Sequence, residues 1–249
     1  MSLVWLYTLV SVLLVSLISL IGVASLSLSE RRLNQILFLL VSLAVGGMLG
    51  DAFLHLLPEA YARSQGSLDT PLAVLAGIFG FFTLEKILRW RHEHPYQSRR
   101  SLQPLGYVNL AADGIHNLVD GMLIGASYLV SLPVGIATTI AVILHEIPQE
   151  IGDFGILLHA GFSKRSALLF NFLSGCLAIA GAALALLAGA ELQGFTAVML
   201  PFTAGGFIYV AGSDLLPELH KEREPFRSGV QLVAAGSGIG IMLLLTLLE

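Results

Sequence analysis

The chain has 249 residues and a formal net charge of −4; 55% of its residues are hydrophobic and only 12% are charged. Soluble proteins carry about 25% charged residues. This composition therefore excludes a soluble domain and predicts an integral membrane protein, with the lipid bilayer as a partner and no nucleic acid. The single cysteine, Cys176, excludes an internal disulfide and a cysteine-based metal site.

Apolar stretches long enough to cross a bilayer recur along the chain. A membrane-spanning helix needs roughly 20 apolar residues, and eight such stretches fit with short connections between them. The sequence therefore predicts an all-α protein with eight transmembrane helices in a single domain, residues 1–249. The predicted spans are 4–28, 34–57, 71–90, 105–129, 132–159, 166–189, 195–217 and 228–248.

The basic residues lie almost entirely on one side of these spans. Twelve of the thirteen lysines and arginines fall at or within connections 1–2, 3–4, 5–6 and 7–8, and only Arg63 lies on the other side. The positive-inside rule assigns such connections to the cytosol. Both termini are therefore predicted to be extracytoplasmic, in a multi-pass protein of the plasma or inner membrane.

Two stretches of the chain resemble each other, "VGGMLGDAFLHLLPEA" (45–60) and "AGGFIYVAGSDLLPEL" (204–219). Aligned without a gap, their Gly-Gly pairs and their Leu-Leu-Pro-Glu segments coincide. They lie in spans 2 and 7, which run in opposite directions. The pattern indicates an inverted 3+2+3 repeat, which is typical of alternating-access transporters; chance similarity of two Gly- and Leu-rich helices is the alternative.

Span 4 contains a polar face within "VNLAADGIHNLVDGMLIG" (108–125). Four polar side chains follow the i, i+3, i+4, i+7 spacing of one helix face. They are Asp113, His116, Asn117 and Asp120. Because His116 and Asp120 are four residues apart, they can bind the same ion.

Span 5, "AVILHEIPQEIGDFGILLHA" (141–160), is unusually rich in charge for its apolar length. One charge at mid-bilayer costs at least ~2.5–3.5 kcal/mol, and Pro148 disfavours a regular helix. At helical spacing, the polar residues of this span form two rows. One row contains His145 and Gln149, and the other contains Glu146, Glu150 and Asp153. Imidazole and carboxylate without thiolate suit Zn²⁺, Fe²⁺ or Mn²⁺ better than Cu⁺. A divalent cation, Zn²⁺ first and Cd²⁺ also possible, would neutralise these carboxylates.

Other intramembrane polar residues are weaker candidates. Asn171 in span 6 either binds metal or ties helices together. A polar pathway to and from the site is predicted to include Asp51, His55, Asp113, Asp153, Asp214 and Glu218. An interhelical hydrogen bond remains the alternative for each of Asp51, His55 and Asp113, and a solvated helix end for Glu218.

The motif "HNLVDG" (116–121) followed by "HEIPQEIGD" (145–153) resembles the paired signature of the Zrt/Irt-like (ZIP) metal transporter family. The fifth span matches the subgroup that reads HExPxExGD, and "GDAFLHLLPE" (50–59) in span 2 also fits. The resemblance covers essentially the whole chain. It implies a transporter that imports divalent metal into the cytosol through a two-metal site between spans 4 and 5.

Residue by residue, the resemblance implies two neighbouring metal positions. The first comprises His116, Asp120, His145 and Gln149; the second, or its surroundings, comprises Asn117, Glu146, Glu150 and Asn171. The resemblance also implies a homodimer and an elevator-like motion of spans 1, 4, 5 and 6 against spans 2, 3, 7 and 8. Gln149 departs from the histidine that many members of the subgroup have there, and an amide is the weaker zinc ligand.

Two other functions compete with transport. An intramembrane zinc protease would need HExxH, in which two histidines bind zinc and the glutamate acts as base, but Gln149 stands in place of the second histidine. A membrane metal sensor would bind without transport, yet it has no need of an inverted repeat. We therefore expect a transporter and not an enzyme.

Overall fold

The computed structural model describes residues 2–64, 67–93, 103–191 and 194–248, and all regular structure within these ranges is helical. This confirms the prediction of an all-α protein. The helices join into eight long segments that follow the predicted spans in order. They are α1 (Ser2–Ile18, a 3₁₀ turn Ser19–Ile21 and Gly22–Ser25), α2 (Glu30–Asp51, a π-helical turn Ala52–Leu56 and Leu57–Ser64), α3 (Asp69–Glu93), α4 (Gln103–Val130), α5 (Leu132–His159), α6 (Lys164–Gly175 and Leu177–Glu191), α7 (Phe195–Val210, a π-helical turn Ala211–Leu215 and Leu216–Leu219) and α8 (Pro225–Leu245 and a 3₁₀ turn Thr246–Leu248).

Within the described ranges, seven of these segments are long and apolar enough to cross a membrane. The remaining one, α4, carries the polar face that contains His116 and Asp120. These segments establish a multi-pass membrane protein. Arg99 and Arg100, which contribute to the predicted orientation, lie outside the described residues.

Segments α2 and α7 are interrupted at equivalent positions. Each contains a π-helical turn, Ala52–Leu56 in α2 and Ala211–Leu215 in α7. The ungapped alignment of 45–60 with 204–219 superimposes the two turns and pairs His55 with Asp214. π-helical turns are rare overall, and those that occur are often at functional sites. Two of them at aligned positions favour a structural repeat over chance similarity.

The same alignment relates two close helix contacts. The backbone carbonyl of Leu43 in α2 faces Gly238 of α8, and the carbonyl of Phe202 in α7 faces Gly77 of α3. Leu43 and Phe202 correspond to each other when the alignment is extended by two residues. A Cβ atom at either glycine would collide with the facing carbonyl, so glycine is what allows each helix pair to approach so closely.

Gly238→Ala is expected to lower the free energy of unfolding by about 1–3 kcal/mol, the usual cost of overpacking. Gly236→Ala is the matched control, because a Cβ atom two residues earlier in α8 meets nothing within 4 Å. Thermal unfolding of the purified protein in detergent measures the stability of each variant. Equal unfolding temperatures for the two variants would contradict the close α2–α8 contact.

Candidate metal site

Four side chains of the kinds that can bind metal converge between α4 and α5. His116 and Asp120 come from α4, and His145 and Glu146 come from α5; one ligand atom of each lies within 4.8 Å of the others. The i,i+4 spacing places His116 above Asp120 on one helix face. Two imidazoles and two carboxylates at such distances form a ligand set suited to a borderline divalent cation.

The distances within this group are short, and the group is largely buried. Nε2 of His145 lies 3.1 Å from Oδ2 of Asp120, and Nε2 of His116 lies 3.7 Å from the same oxygen. Both Nε2 atoms are 3.5 Å from Oε1 of Glu146. The His116 side chain is 18% exposed, whereas the other three are almost completely buried. His116 is therefore the ligand nearest to water.

The second nitrogen of His145 fixes the orientation of its ring. Nδ1 lies 3.1 Å from the carbonyl oxygen of Ala141. A carbonyl can only accept, so Nδ1 is the donor in this contact. With a cation at the site, the neutral ring would then offer the lone pair of Nε2 to it. Such a hydrogen bond from the remote nitrogen is the usual support of a metal-binding histidine.

Glu146 is the side chain whose chemistry most requires a cation. It is 0% exposed, and neither of its carboxylate oxygens accepts a hydrogen bond. Within 4 Å, its Oε1 faces Nε2 of His116 and Nε2 of His145, at 3.5 Å each. Burying a carboxylate without compensation is costly, and a divalent ion among these four side chains would supply that compensation.

A second polar group lies beside the first and combines carboxylates with amides. Nδ2 of Asn171 in α6 donates to Oε2 of Glu150 at 2.5 Å and to the carbonyl of Ser19 at 3.2 Å. Nδ2 of Asn117 donates to Oδ1 of Asp113 at 2.8 Å. One oxygen in each of the four polar side chains is buried without a hydrogen bond; these atoms are Asp113 Oδ2, Asn117 Oδ1, Glu150 Oε1 and Asn171 Oδ1.

A partly open cavity of about 350 Å³ leads to the first group. It lies among the C-terminal halves of α3, α5 and α7 and the N-terminal half of α4, the end of the bundle with the basic connections. His116 of the first group and Gln149, one turn after His145, both line it. The lining residues are Phe81, Leu84, Glu85, Asn109, Ala112, Asp113, His116, Gln149, Asp153, Tyr209, Val210 and Asp214.

Three polar residues of this cavity are absent from the sequence-based candidates. Nδ2 of Asn109 donates to Oδ1 of Asp153 at 3.0 Å, and Oη of Tyr209 donates to Oε2 of Glu85 at 2.5 Å. Asn109 precedes Asp113 by four residues, so the helix face of span 4 already contained the signal for it. Glu85 and Tyr209 lie on different helices, and no spacing in the sequence relates them.

Asp51 and His55, the two predicted pathway residues in α2, do not line the cavity. Oδ2 of Asp51 accepts a hydrogen bond from Thr138 of α5 at 3.0 Å, and its Oδ1 is 3.4 Å from Nδ1 of His55. Both side chains are buried. Glu218 also lies outside the cavity, half exposed and 2.5 Å from Nζ of Lys221.

Buried apolar side chains fill part of the bundle interior outside the cavity. Met48, Leu123, Ile124, Leu200 and Phe207, from α2, α4 and α7, belong to one buried cluster and are 0–1% exposed. Interiors packed in this way leave no continuous passage for a hydrated ion. Among the residues that the structure describes, the cavity at the end with the basic connections reaches His116 of this group.

Gln149→His should strengthen zinc binding, because an imidazole replaces a weakly binding amide one turn from His145. We expect the zinc dissociation constant to fall at least about tenfold, equivalent to ~1.4 kcal/mol. Titration calorimetry on the purified protein measures it, with Gln149→Leu as the control that removes the amide without adding a ligand. An unchanged affinity in Gln149→His would place residue 149 outside the ligand sphere.

Comparison with known proteins finds similarity to zinc transporters along most of the chain. The sequence profile described as "ZIP Zinc transporter" matches residues 2–104 and 91–246. The chain is 41% identical to the zinc transporter ZIP13 of Pongo abelii over 84% of its own length and 66% of that protein. It is 35% identical to ZIP13 of Homo sapiens, covering 87% of this chain and 71% of the relative. It is 34% identical to the zinc transporter SLC39A7 of Rattus norvegicus, over 98% of this chain and 73% of that protein.

Proposed function

The chain belongs to the ZIP family of zinc transporters, and from this premise we propose that it moves zinc into the cytosol by alternating access. The family is one of metal transporters and not of enzymes. The observation that carries the proposal is the buried group of His116, Asp120, His145 and Glu146, which a partly open cavity reaches at His116. A site that binds reversibly and faces one side at a time is what an alternating-access transporter requires.

We assign two neighbouring metal positions to the site. The first is held by His116, Asp120, His145 and Glu146, with Gln149 completing it. Glu146 belongs here because its Oε1 is 3.5 Å from both histidines, although the family resemblance alone assigns it to the second position. The second position uses the unbonded oxygens of Asn117, Glu150, Asn171 and Asp113.

Oxygen-rich ligands favour release as well as binding. Carboxylates and amides without thiolate hold zinc less tightly than a closed Cys-rich structural site. Asp113, Asp153 and Asp214 line the cavity between the first position and the basic end of the bundle. They offer the departing cation successive oxygen ligands in place of its missing water.

The proposed direction follows from the side on which the cavity lies. If the basic connections are cytosolic, all eight segments cross the membrane, both termini are extracytoplasmic, and the structure represents an inward-facing state. Asp51 and His55 then lie on the entry side, behind the packed apolar cluster. The coincident π-helical turns of α2 and α7 support an inverted repeat as the basis of the alternation.

Two further features rest on the family resemblance. We propose that the protein acts as a homodimer in the cell membrane, and that α1, α4, α5 and α6 move together against α2, α3, α7 and α8. Because α4, α5 and α6 carry the ligands of both metal positions, such a motion would transfer the site as a unit.

Uptake of radioactive zinc into proteoliposomes tests the proposed transport. We expect saturable uptake, reduced by excess Fe²⁺, Mn²⁺ or Cd²⁺ in proportion to their affinity for the site. Empty liposomes provide the background. Zinc binding by the purified protein without any uptake would instead identify a membrane metal sensor.

A further inference from the structure

A groove unrelated to the metal site lies between the N-terminal ends of α2 and α8. Its outer part has a volume of about 340 Å³ and is lined by Arg31, Asn34, Gln35 and Arg227. An adjoining part of about 280 Å³ shares Gln35 and Arg227 but is otherwise lined by Phe38, Leu39 and Val230. One end of the groove therefore offers cations and amides, and the other end is apolar.

We propose that this groove binds an anionic phospholipid, with its phosphate at Arg31 and Arg227 and an acyl chain along Phe38, Leu39 and Val230. This binding site is independent of metal transport. Basic pockets between transmembrane helices are a recognised kind of site for anionic headgroups, and arginine binds phosphate through two parallel N–H donors.

Arg227 is held in place for such a contact. Its guanidinium lies over the Phe38 ring, 4.7 Å from the centroid, and Nη1 is 3.0 Å from Oε2 of Glu222. Glu222 is itself fixed, because its Oε1 accepts hydrogen bonds from the backbone N–H groups of Arg223 and Glu224, both at 3.0 Å. Glu222 engages one guanidinium nitrogen and leaves the remaining donors for a ligand.

Glu222 remains a stable partner for Arg227 at neutral pH. The backbone N–H of Glu224 is the main cause that holds the pKa of Glu222 below its ordinary value, and Arg227 contributes to the same shift. The carboxylate is therefore ionised and keeps the guanidinium oriented. Arg31, on the opposite side of the groove, contributes the second positive charge.

The groove lies at the depth of lipid headgroups. Arg31 is the first residue of the apolar stretch Arg31–Ser64, and Pro225 is the first of Pro225–Leu245, both long enough to cross a membrane. Both helices begin here, so their N-terminal dipoles also favour an anion. The apolar part lies one turn deeper, where the acyl chain of a lipid begins. A free phosphate ion would make no favourable contact with these apolar side chains.

The lipid dependence of thermal unfolding tests the proposal on the delipidated protein in detergent. Dioleoylphosphatidylglycerol, at about a hundredfold excess over its dissociation constant, should raise the unfolding temperature by roughly 5 °C or more. Dioleoylphosphatidylcholine and inorganic phosphate at the same concentration should raise it by less than about 1 °C. The variant R31Q/R227Q should lose the response to phosphatidylglycerol.

The control variant R32Q/R223Q removes two arginines from the same end of the bundle that do not line the groove, and it should respond like the wild type. Arg31→Gln alone leaves Arg227 stacked on Phe38 and should weaken the response even if the double variant unfolds. Equal responses in both double variants would overturn the proposal. A full response to inorganic phosphate would also overturn it, because the site would then bind a free anion.

Discussion

Zinc uptake by Glu146→Gln should fall to the background of empty liposomes, a loss of at least about 100-fold. The substitution keeps the size of the side chain and removes the charge that faces both His116 and His145 at 3.5 Å. With zinc bound, Glu146 and the cation would form a buried charge pair. Removing one partner of such a pair costs about 3–5 kcal/mol, and ~2.8 kcal/mol already corresponds to a factor of about 100. His116→Ala, which removes the most water-accessible ligand, should have a comparable effect.

The effect on stability distinguishes loss of the site from misfolding. Without metal, Glu146 is a buried carboxylate that accepts no hydrogen bond, so neutral glutamine should leave the unfolding temperature unchanged or raise it. Added zinc should then stabilise the wild type and have no effect on the variant. Loss of uptake with this pattern means that the protein is folded but cannot hold its cargo.

Glu218→Gln makes the same chemical change outside the cavity and away from the four converging side chains. That side chain is half exposed, paired with Lys221 at 2.5 Å and outside the cavity, and an exposed ion pair contributes roughly 0–1 kcal/mol. Uptake should therefore remain near the wild-type rate. Normal uptake by both Glu146→Gln and His116→Ala would contradict the assignment of the site.

The long helices could be predicted because their lengths are imposed by the bilayer. The predicted span 132–159 has the bounds of α5, Leu132–His159, and the predicted 105–129 lies within α4, Gln103–Val130. The i,i+4 spacing likewise gives the proximity of His116 and Asp120, whose Nε2 and Oδ2 atoms are 3.7 Å apart. In each case a single local rule, either apolar length or helix periodicity, determines the result.

Contacts that depend on the packing of several helices could not be predicted from apolar length or helix periodicity. Neighbouring residues of a helix point about 100° apart, which separates His145 and Glu146 into different rows, yet their Nε2 and Oε1 atoms lie 3.5 Å apart. The cavity contact between Glu85 and Tyr209 joins α3 to α7, and only tertiary packing determines it.

The positions of the helix irregularities were also predicted incorrectly from the proline rule. Pro148 predicts a disturbed helix, but α5 continues through it from Leu132 to His159. The irregular turns occur instead at Ala52–Leu56 and Ala211–Leu215. In each case a single leucine separates the turn from a proline, Pro58 or Pro217. Neither stretch differs enough in composition from its flanks to reveal a π-helical turn.

Cysteine labelling should reveal that the two ends of the bundle are open at different times. Cys176 is the single cysteine of the chain, so Cys176→Ala gives a background without thiols. On it, Ala112→Cys places a thiol in the wall of the cavity, and Thr138→Cys places one beside Asp51, where the residue is 0% exposed. A charged, membrane-impermeant reagent on the side of the basic connections should label residue 112 rapidly.

Residue 138 should not react from that side, because the packed cluster around Leu123 and Phe207 separates it from the cavity. It should react only from the opposite side, in the fraction of molecules that have changed state. A minor state populated at 0.1–10% makes that labelling roughly 10- to 1,000-fold slower. Both thiols reacting quickly from one side would mean a continuous pore, and alternating access would have to be abandoned even if zinc crosses the membrane.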